Sequence, residues 1–402
     1  MNKIFLSTEG WVMSEQDQEN KRRDLLKGGM VMGGFAMTGS VPFLSQAAMA
    51  QDEVLVPFTD MPPDFAGPPK TAGGVFFQNT QLIEDFYSRN EDQFYVVQHY
   101  GQPQLDGNAH RLRITGMVDN PITLSMADIR RRPKVEIVAG FECGGNQQGI
   151  YHGLVGNALW GGCSLRDLLQ DAGIQYGGSE VVFYGADRGK ETIRDTEVEQ
   201  SFGRGLSFNE AMNDDIILAY EMNGEPLPGA HGFPIRLLVP GWYGVTNIKW
   251  LEQIHVQDRR FSGRFQARDY VTLSRRNIGG VERWEERLVT KIQLKSAITR
   301  VTRRGNTHNI MGFALNDGTP LRAVEVKIDD GPWQRANILP GATRYSWKLF
   351  NFAWNNASPG EHSIVSRVID VNGQVQATLE ELPEKISRWE NYGQFTRTLT
   401  IS

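Results

Sequence analysis

Two spacings of apolar and polar residues succeed one another along the chain. Between Phe94 and about Arg260, runs rich in β-branched residues predict strands over Leu112–Val118, Val135–Phe141 and Ile235–Val239. Among them, Ser164 precedes leucines at core-facing helical spacing (Leu165, Leu168, Leu169) and is placed to cap a helix. Strand-like and helix-like stretches interleave without a strict repeat, and no Gly-x-Gly-x-x-Gly follows a strand, so a doubly wound dinucleotide-binding sheet is not implied. The expectation is one mixed α/β domain over residues 94–288. From about Lys291 the pattern becomes short strands divided by turn residues. Val324, Val326 and Ile328 alternate with Glu325, Lys327 and Asp329 up to Asp330-Gly331, and Ser363–Val371 ends likewise at Asn372-Gly373. This predicts an immunoglobulin-like β-sandwich over residues 289–402 and an α+β chain as a whole, with 51–93 as a Pro-rich lead-in.

The first fifty residues have a different pattern. Lys21-Arg22-Arg23-Asp24-Leu25-Leu26-Lys27 is followed by a mildly apolar, Gly-rich run from Gly28 to Leu44 and then by Ala48-Met49-Ala50. A basic region, an apolar region and a small-residue cleavage site make a signal peptide, and the paired arginines resemble the twin-arginine type. The alternative is a solvated basic segment before an unrelated helix. The expectation is cleavage after Ala50 and a periplasmic location. Because that route commonly carries proteins folded around a bulky group, it hints at a cofactor.

Composition narrows the classes. Apolar residues make up 40% and charged residues 22% of the 402, which is globular rather than disordered. A net charge of −5 does not suit a general nucleic-acid binder. No apolar run long enough to span a membrane follows position 50. Two cysteines, Cys143 and Cys163, exclude a disulfide-stapled scaffold and any multi-cysteine cluster. Without a Cys-x-x-Cys-His run, no haem is covalently attached.

Chemistry concentrates at Gly140-Phe141-Glu142-Cys143-Gly144-Gly145-Asn146, where a strand delivers one cysteine to a glycine-rich turn that a cofactor could approach closely. Taken alone, Cys143 fits a half-buried free thiol better than a ligand, and a Cys143–Cys163 disulfide is a third possibility. Its company changes the balance. The run Phe141–Asn146 resembles the cysteine motif of the sulfite oxidase family. So do Asn157-Ala158-Leu159-Trp160-Gly161-Gly162, Ala219–Pro228, His231-Gly232-Phe233-Pro234-Ile235-Arg236, Val239–Gly244, Lys249-Trp250 and Arg268-Asp269-Tyr270, in the family's order.

The resemblance implies a molybdenum-molybdopterin oxidoreductase, with a molybdopterin-binding domain over 94–288 and a dimerisation domain over 289–402. It implies Cys143 as the metal's thiolate ligand, a soft donor suited to a redox metal. His231, Arg236 and Lys249 would contact the cofactor, with His99 and Asp187 as further contacts, and Tyr270 would be the active-site tyrosine. As isolated residues, Arg236 and Lys249 would be ordinary solvated charges, His231 a turn histidine and Tyr270 a boundary aromatic.

One part of the family pattern breaks. Sulfite-oxidising members receive the anion among arginines, and three of those positions fall here at Val97, Gln148 and Tyr392. The loop between Cys143 and Trp160 is also shorter than in sulfite oxidases. Arg188, Lys190, Arg194 and Arg204 are candidates to compensate. The expectation is two-electron oxo transfer on a less anionic or larger small molecule, with electrons passed to an external carrier such as a c-type cytochrome or a quinone-linked subunit. A sulfite dehydrogenase with relocated arginines is the alternative, and a non-catalytic cofactor-binding or assembly protein is a second one.

Overall fold

In the computed structural model, the described residues are 53–61, 75–83, 85–89 and 93–402, all within one compact unit. The export signal expected over residues 1–50 lies outside them. Among the described residues no helix is long and apolar enough to cross a membrane.

The strand expected around Cys143 runs over Val135–Glu142 and pairs antiparallel with Val155–Ser164. Ile217–Met222 and Arg236–Leu238 extend this sheet, whose alternating inward residues Ala139, Phe141, Ala158 and Trp160 are buried. A second sheet has the order Ile122–Ser125, Arg111–Gly116, Leu251–Gln257, Glu180–Ile193, Thr196–Ser207. Its one parallel pair is Leu251–Gln257 with Arg111–Gly116. Leu112, Ile114, Val181, Phe183 and Ile254 project from it into the same apolar core as the cysteine sheet.

Ser164 does cap the expected helix, accepting a hydrogen bond from the Asp167 backbone, and the helix runs over Leu165–Ala172 with its leucines buried. At eight residues it is the longest described helix. The α+β label therefore needs correcting toward sheet. Apolar runs that had suggested interleaved helices are consumed by long hairpins, above all Glu180–Ile193 with Thr196–Ser207.

In the C-terminal part, Lys295–Arg304, Thr307–Leu315 and Lys348–Asn355 form one sheet, and Leu321–Ile328, Gly360–Asp370 and Arg397–Ile401 belong to another. They bury Val301, Ile310 and Phe350 together with Val324, Val326, Val368 and Leu399 in a separate core. The lead-in takes part in it: Val54–Val56 pairs with Val301–Arg303. Between the two cores, the hairpin Val271–Ile278 and Val281–Leu288 bonds to the segment at Glu384–Ile386. That arrangement brings the chain near residue 389 against the cysteine turn.

Candidate active site

Cys143 follows the last residue of its strand, its N–H donating to Leu154 O at 3.0 Å and its carbonyl accepting from Asn146 N at 3.0 Å. The turn is braced from beneath. Asn146 Nδ2 donates to Glu142 Oε2 at 2.8 Å, and Glu142 makes an ion pair of 2.7 Å with Lys295, both side chains being buried. It is covered from above by Trp389. A Cβ on Gly145 would meet that ring at 3.1 Å, and one on Gly144 would meet Val289 at 3.0 Å, so the motif's glycines let the indole settle onto the turn. Glu390 N fixes the lid by donating to Gly144 O at 2.7 Å. Both cysteines are free and buried, so the disulfide reading falls away.

Beside the thiol opens a pocket of about 610 Å³. Cys143, His99, Asp187, His231, Arg236, Lys249 and Tyr270 all line it, so the seven residues singled out from the sequence converge on one cavity. They come from different elements. His231 closes a single 3-10 turn, Gly229–His231, and Gly232 follows at a φ of 110°, a conformation that suits glycine. A Cβ there would meet Arg236 Cβ at 3.1 Å and Lys249 Cα at 3.2 Å, so this glycine leaves room for both residues to pack closely behind the histidine.

Arg236 is buried and Lys249 half-buried, and neither forms an ion pair with a described carboxylate, although Asp187 lines the same pocket and acts on Lys249 through its charge. Arg236 donates to His231 O and to Asn247 O, each at 2.9 Å, lies over the Trp160 ring at 5.0 Å, and leaves Nε without a partner. Lys249 Nζ donates to Val97 O at 3.0 Å and Ala230 O at 2.9 Å. Burial, reinforced by the Arg236 charge, pulls the Lys249 ammonium down to about 7, and burial lowers Arg236 to about 10. Burial also raises Asp187 to about 6, against the pull of Lys249. Such a pair is costly unless an anion completes it.

On the opposite wall, Tyr270 and His99 share a hydrogen bond of 2.9 Å between the hydroxyl and Nε2. Desolvation of the ring by its aromatic neighbours first, then the charges of Lys249, Arg264 and Arg388, holds His99 down at about 4 although part of the side chain is exposed, so the imidazole is neutral near pH 7. It is packed at 4.6 Å from the Phe265 ring and 5.1 Å from Phe202. Tyr270 stacks on Trp389 at 4.3 Å. Burial pushes the Cys143 thiol up to about 11, opposed by the Gly145 N–H and by the Arg388 charge. A thiol so desolvated becomes a thiolate readily only when a cation or metal binds it.

Of the positions where the anion pocket was expected to be broken, Val97 lines the cavity. The proposed compensating cations are engaged elsewhere. Arg188 pairs with Glu252 at 2.6 Å and Lys190 with Glu197 at 2.7 Å. Arg194 is exposed in the turn of the long hairpin. Arg204 is buried, donating to Phe265 O and Val289 O at 2.7 Å. Sequence reading missed the Arg388-Trp389 pair, which carries no local motif and reaches the site through contacts distant in the chain.

The residues fit molybdopterin. Among the described residues no group of three or more His, Cys, Asp or Glu side chains could hold a metal alone, so a metal at Cys143 needs ligands brought by a cofactor. The neighbouring buried cations await an anion such as a phosphate. Comparison with known proteins agrees. The family described as "Oxidoreductase molybdopterin binding domain" matches residues 99–265. Sulfite oxidase of Gallus gallus is 29% identical over 325 residues, 73% of this chain and 69% of that protein. Sulfite oxidase of Arabidopsis thaliana is 28% identical over 351 residues, 77% of this chain and 85% of that protein. The chain is a molybdopterin oxidoreductase of the sulfite oxidase type. For an oxidoreductase of this type, a molybdenum-molybdopterin cofactor follows. The fold extends the likeness: the sulfane dehydrogenase SoxCD from Paracoccus pantotrophus superposes with a TM-score of 0.71 at 23% identity, covering 91% of this chain and 96% of that one.

Proposed function

We propose that this protein of the sulfite oxidase type is a periplasmic oxidoreductase that transfers an oxygen atom, with two electrons, to or from a small molecule less anionic than sulfite. The observation that carries this reading is Val97 on the cavity wall, an apolar residue where the family's sulfite oxidases resemble one another in an arginine. The resemblance puts Gln148 and Tyr392 at the two other such positions, neither of which lines this cavity. Removing one buried charged partner of an anion costs about 2–5 kcal/mol, so the loss of several disfavours a dianion strongly.

When bound, the molybdenum-molybdopterin group supplies a metal that changes oxidation state by two electrons and exchanges oxygen with a substrate. Cys143 would ligate that metal through Sγ. Arg236 and Lys249 would hold the cofactor's phosphate, with His231 and Asp187 at its polar edges. The Tyr270 hydroxyl would donate a hydrogen bond toward the reacting oxygen while its oxygen accepts one from the Nε2–H tautomer of neutral His99. Trp389 and Val289 keep water away from the sulfur. In this reading residues 289–402 form an immunoglobulin-like domain that pairs two copies, residues 1–50 are a twin-arginine export signal, and a c-type cytochrome or quinone-linked subunit takes up the electrons.

A substrate screen tests it. Metal-loaded protein is assayed with a dye as electron acceptor and as donor against sulfite, sulfane sulfur compounds, and organic S-oxides and N-oxides. Sulfane compounds are included because the solved relative of like fold is named for that activity. Turnover of an uncharged or singly charged compound, with sulfite slow, supports the proposal. Fast sulfite oxidation favours the sulfite dehydrogenase alternative instead.

A further inference from the structure

Four cations on the long hairpin and the Arg264–Arg268 segment are neutralised by carboxylates. Arg188 and Lys190 are paired as described, Arg264 binds Asp269 at 2.7 Å and Glu191 at 2.9 Å, and Arg268 reaches Glu191 at 3.6 Å. Arg388 differs. Its side chain is exposed, has no carboxylate partner among the described residues, and lies with its guanidinium 4.5 Å from the centre of the Trp389 ring. That ring stacks on Tyr270, whose hydroxyl meets His99. The charge thus stands at the outer end of a stack that leads to Cys143.

The placement is fixed by the backbone. Lys385 Nζ donates to Trp389 O at 2.7 Å and to Glu390 O at 3.0 Å, Glu390 N donates to Gly144 O, and the Glu390 carboxylate accepts from Thr272. A segment held at four points presents one unneutralised, forked donor outside the pocket lining but near enough for its charge to act on His99, Cys143 and Tyr270. Stacking on an indole leaves the edge of a guanidinium free for two parallel hydrogen bonds.

We infer that Arg388 is the specificity-determining residue of this enzyme, binding the negatively charged group of a substrate that carries one formal charge, an oxyanion of the sulfonate or carboxylate kind. This rests on the oxidoreductase reading above and deepens it: one cation at position 388 takes the place of three arginines, so one charge is recognised rather than two. The substrate is anchored by its oxyanion at Arg388 and directs its reacting atom inward past Tyr270.

The test uses non-reacting probes on the molybdenum-loaded protein. Methanesulfonate and its uncharged counterpart dimethyl sulfone are titrated by calorimetry, at low and high salt. Methanesulfonate is expected to bind about tenfold more tightly than the sulfone at low salt, with the advantage shrinking at high salt. Arg388→Gln should abolish the preference and Arg388→Lys should keep part of it, since a point charge remains but the fork is gone. Lys190→Gln, on the distant hairpin, should change nothing. Undiminished methanesulfonate binding by Arg388→Gln, or no preference in the parent protein, overturns the inference. Should the protein prove to hold no molybdenum, the oxidoreductase reading fails, while the titration still decides the role of Arg388.

Discussion

The two ends of the cleft handle positive charge in opposite ways. At the inner end, Arg236 and Lys249 are withdrawn from solvent, use their donors on main-chain carbonyls and have only the unpaired Asp187 carboxylate near them. At the outer end, the charges are exposed and mostly paired, with Arg388 the exception. The inner arrangement is poor for stability and suited to binding: desolvated cations cost stability, and a bound anion would offset that cost. The outer arrangement costs little and selects weakly, as screened charges do. In the proposed reading the cofactor end keeps the family's chemistry, and the substrate end is where the chain departs from it.

The largest expected effect lies between the two ends. Cys143→Ser should leave a folded protein by circular dichroism with no dye-linked turnover above background, since the harder hydroxyl is a poor replacement for a thiolate on a soft redox metal. Retained turnover would show that the inner end does not work through this sulfur. Next, Lys295→Met breaks the buried ion pair beneath the cysteine turn and strands Glu142, so chemical denaturation should show a loss of about 3–5 kcal/mol. A loss well below 1 kcal/mol would mean that the turn is held by its backbone bonds alone.

The inner cations make a pH prediction. Folded apoprotein keeps Lys249 neutral above about pH 7, whereas the unfolded chain keeps it charged up to the ordinary 10.5. Between those values the unfolded state binds more protons, so apoprotein stability should rise with pH through the window, by at most roughly 1.4 kcal/mol per pH unit. Lys249→Met should flatten that rise, and so should cofactor loading, because the bound anion restores the charged form. A slope unchanged by either would contradict the assignment. The smallest effect belongs to the outer end. Val97→Arg should raise kcat/KM for sulfite by about tenfold, the value of one added charge contact in a partly solvated site. No gain would mean that the side chain does not face the substrate.

Much of the inner end was legible in the sequence because its residues sit in contiguous runs. The strand ending at Glu142, the glycine turn after Cys143, and His231 to Arg236 each pair a chemical residue with the local geometry that positions it. Ser164 announced its helix for the same reason. The outer end was not legible. Arg388 and Trp389 lie more than two hundred residues from Cys143, in a segment without alternation where the resemblance had marked only Tyr392, and they reach the site because the hairpin Val271–Leu288 bonds to Glu384–Ile386. Likewise Val54–Val56, in a Pro-rich stretch, joins the C-terminal sheet through pairing that no local pattern encodes. The helical content was overestimated because apolar runs of the first domain serve buried strands, whose periodicity resembles that of a buried helix.

The central claim is that the cofactor end is complete while the sulfite pocket is not. It is tested most directly by kcat/KM for sulfite, measured with dye on protein whose molybdenum and pterin contents have been assayed. The prediction is full cofactor loading with kcat/KM well below about 10⁴ M⁻¹s⁻¹, the lower edge of ordinary enzyme efficiency. A loaded protein that oxidises sulfite at about 10⁶ M⁻¹s⁻¹ would contradict it.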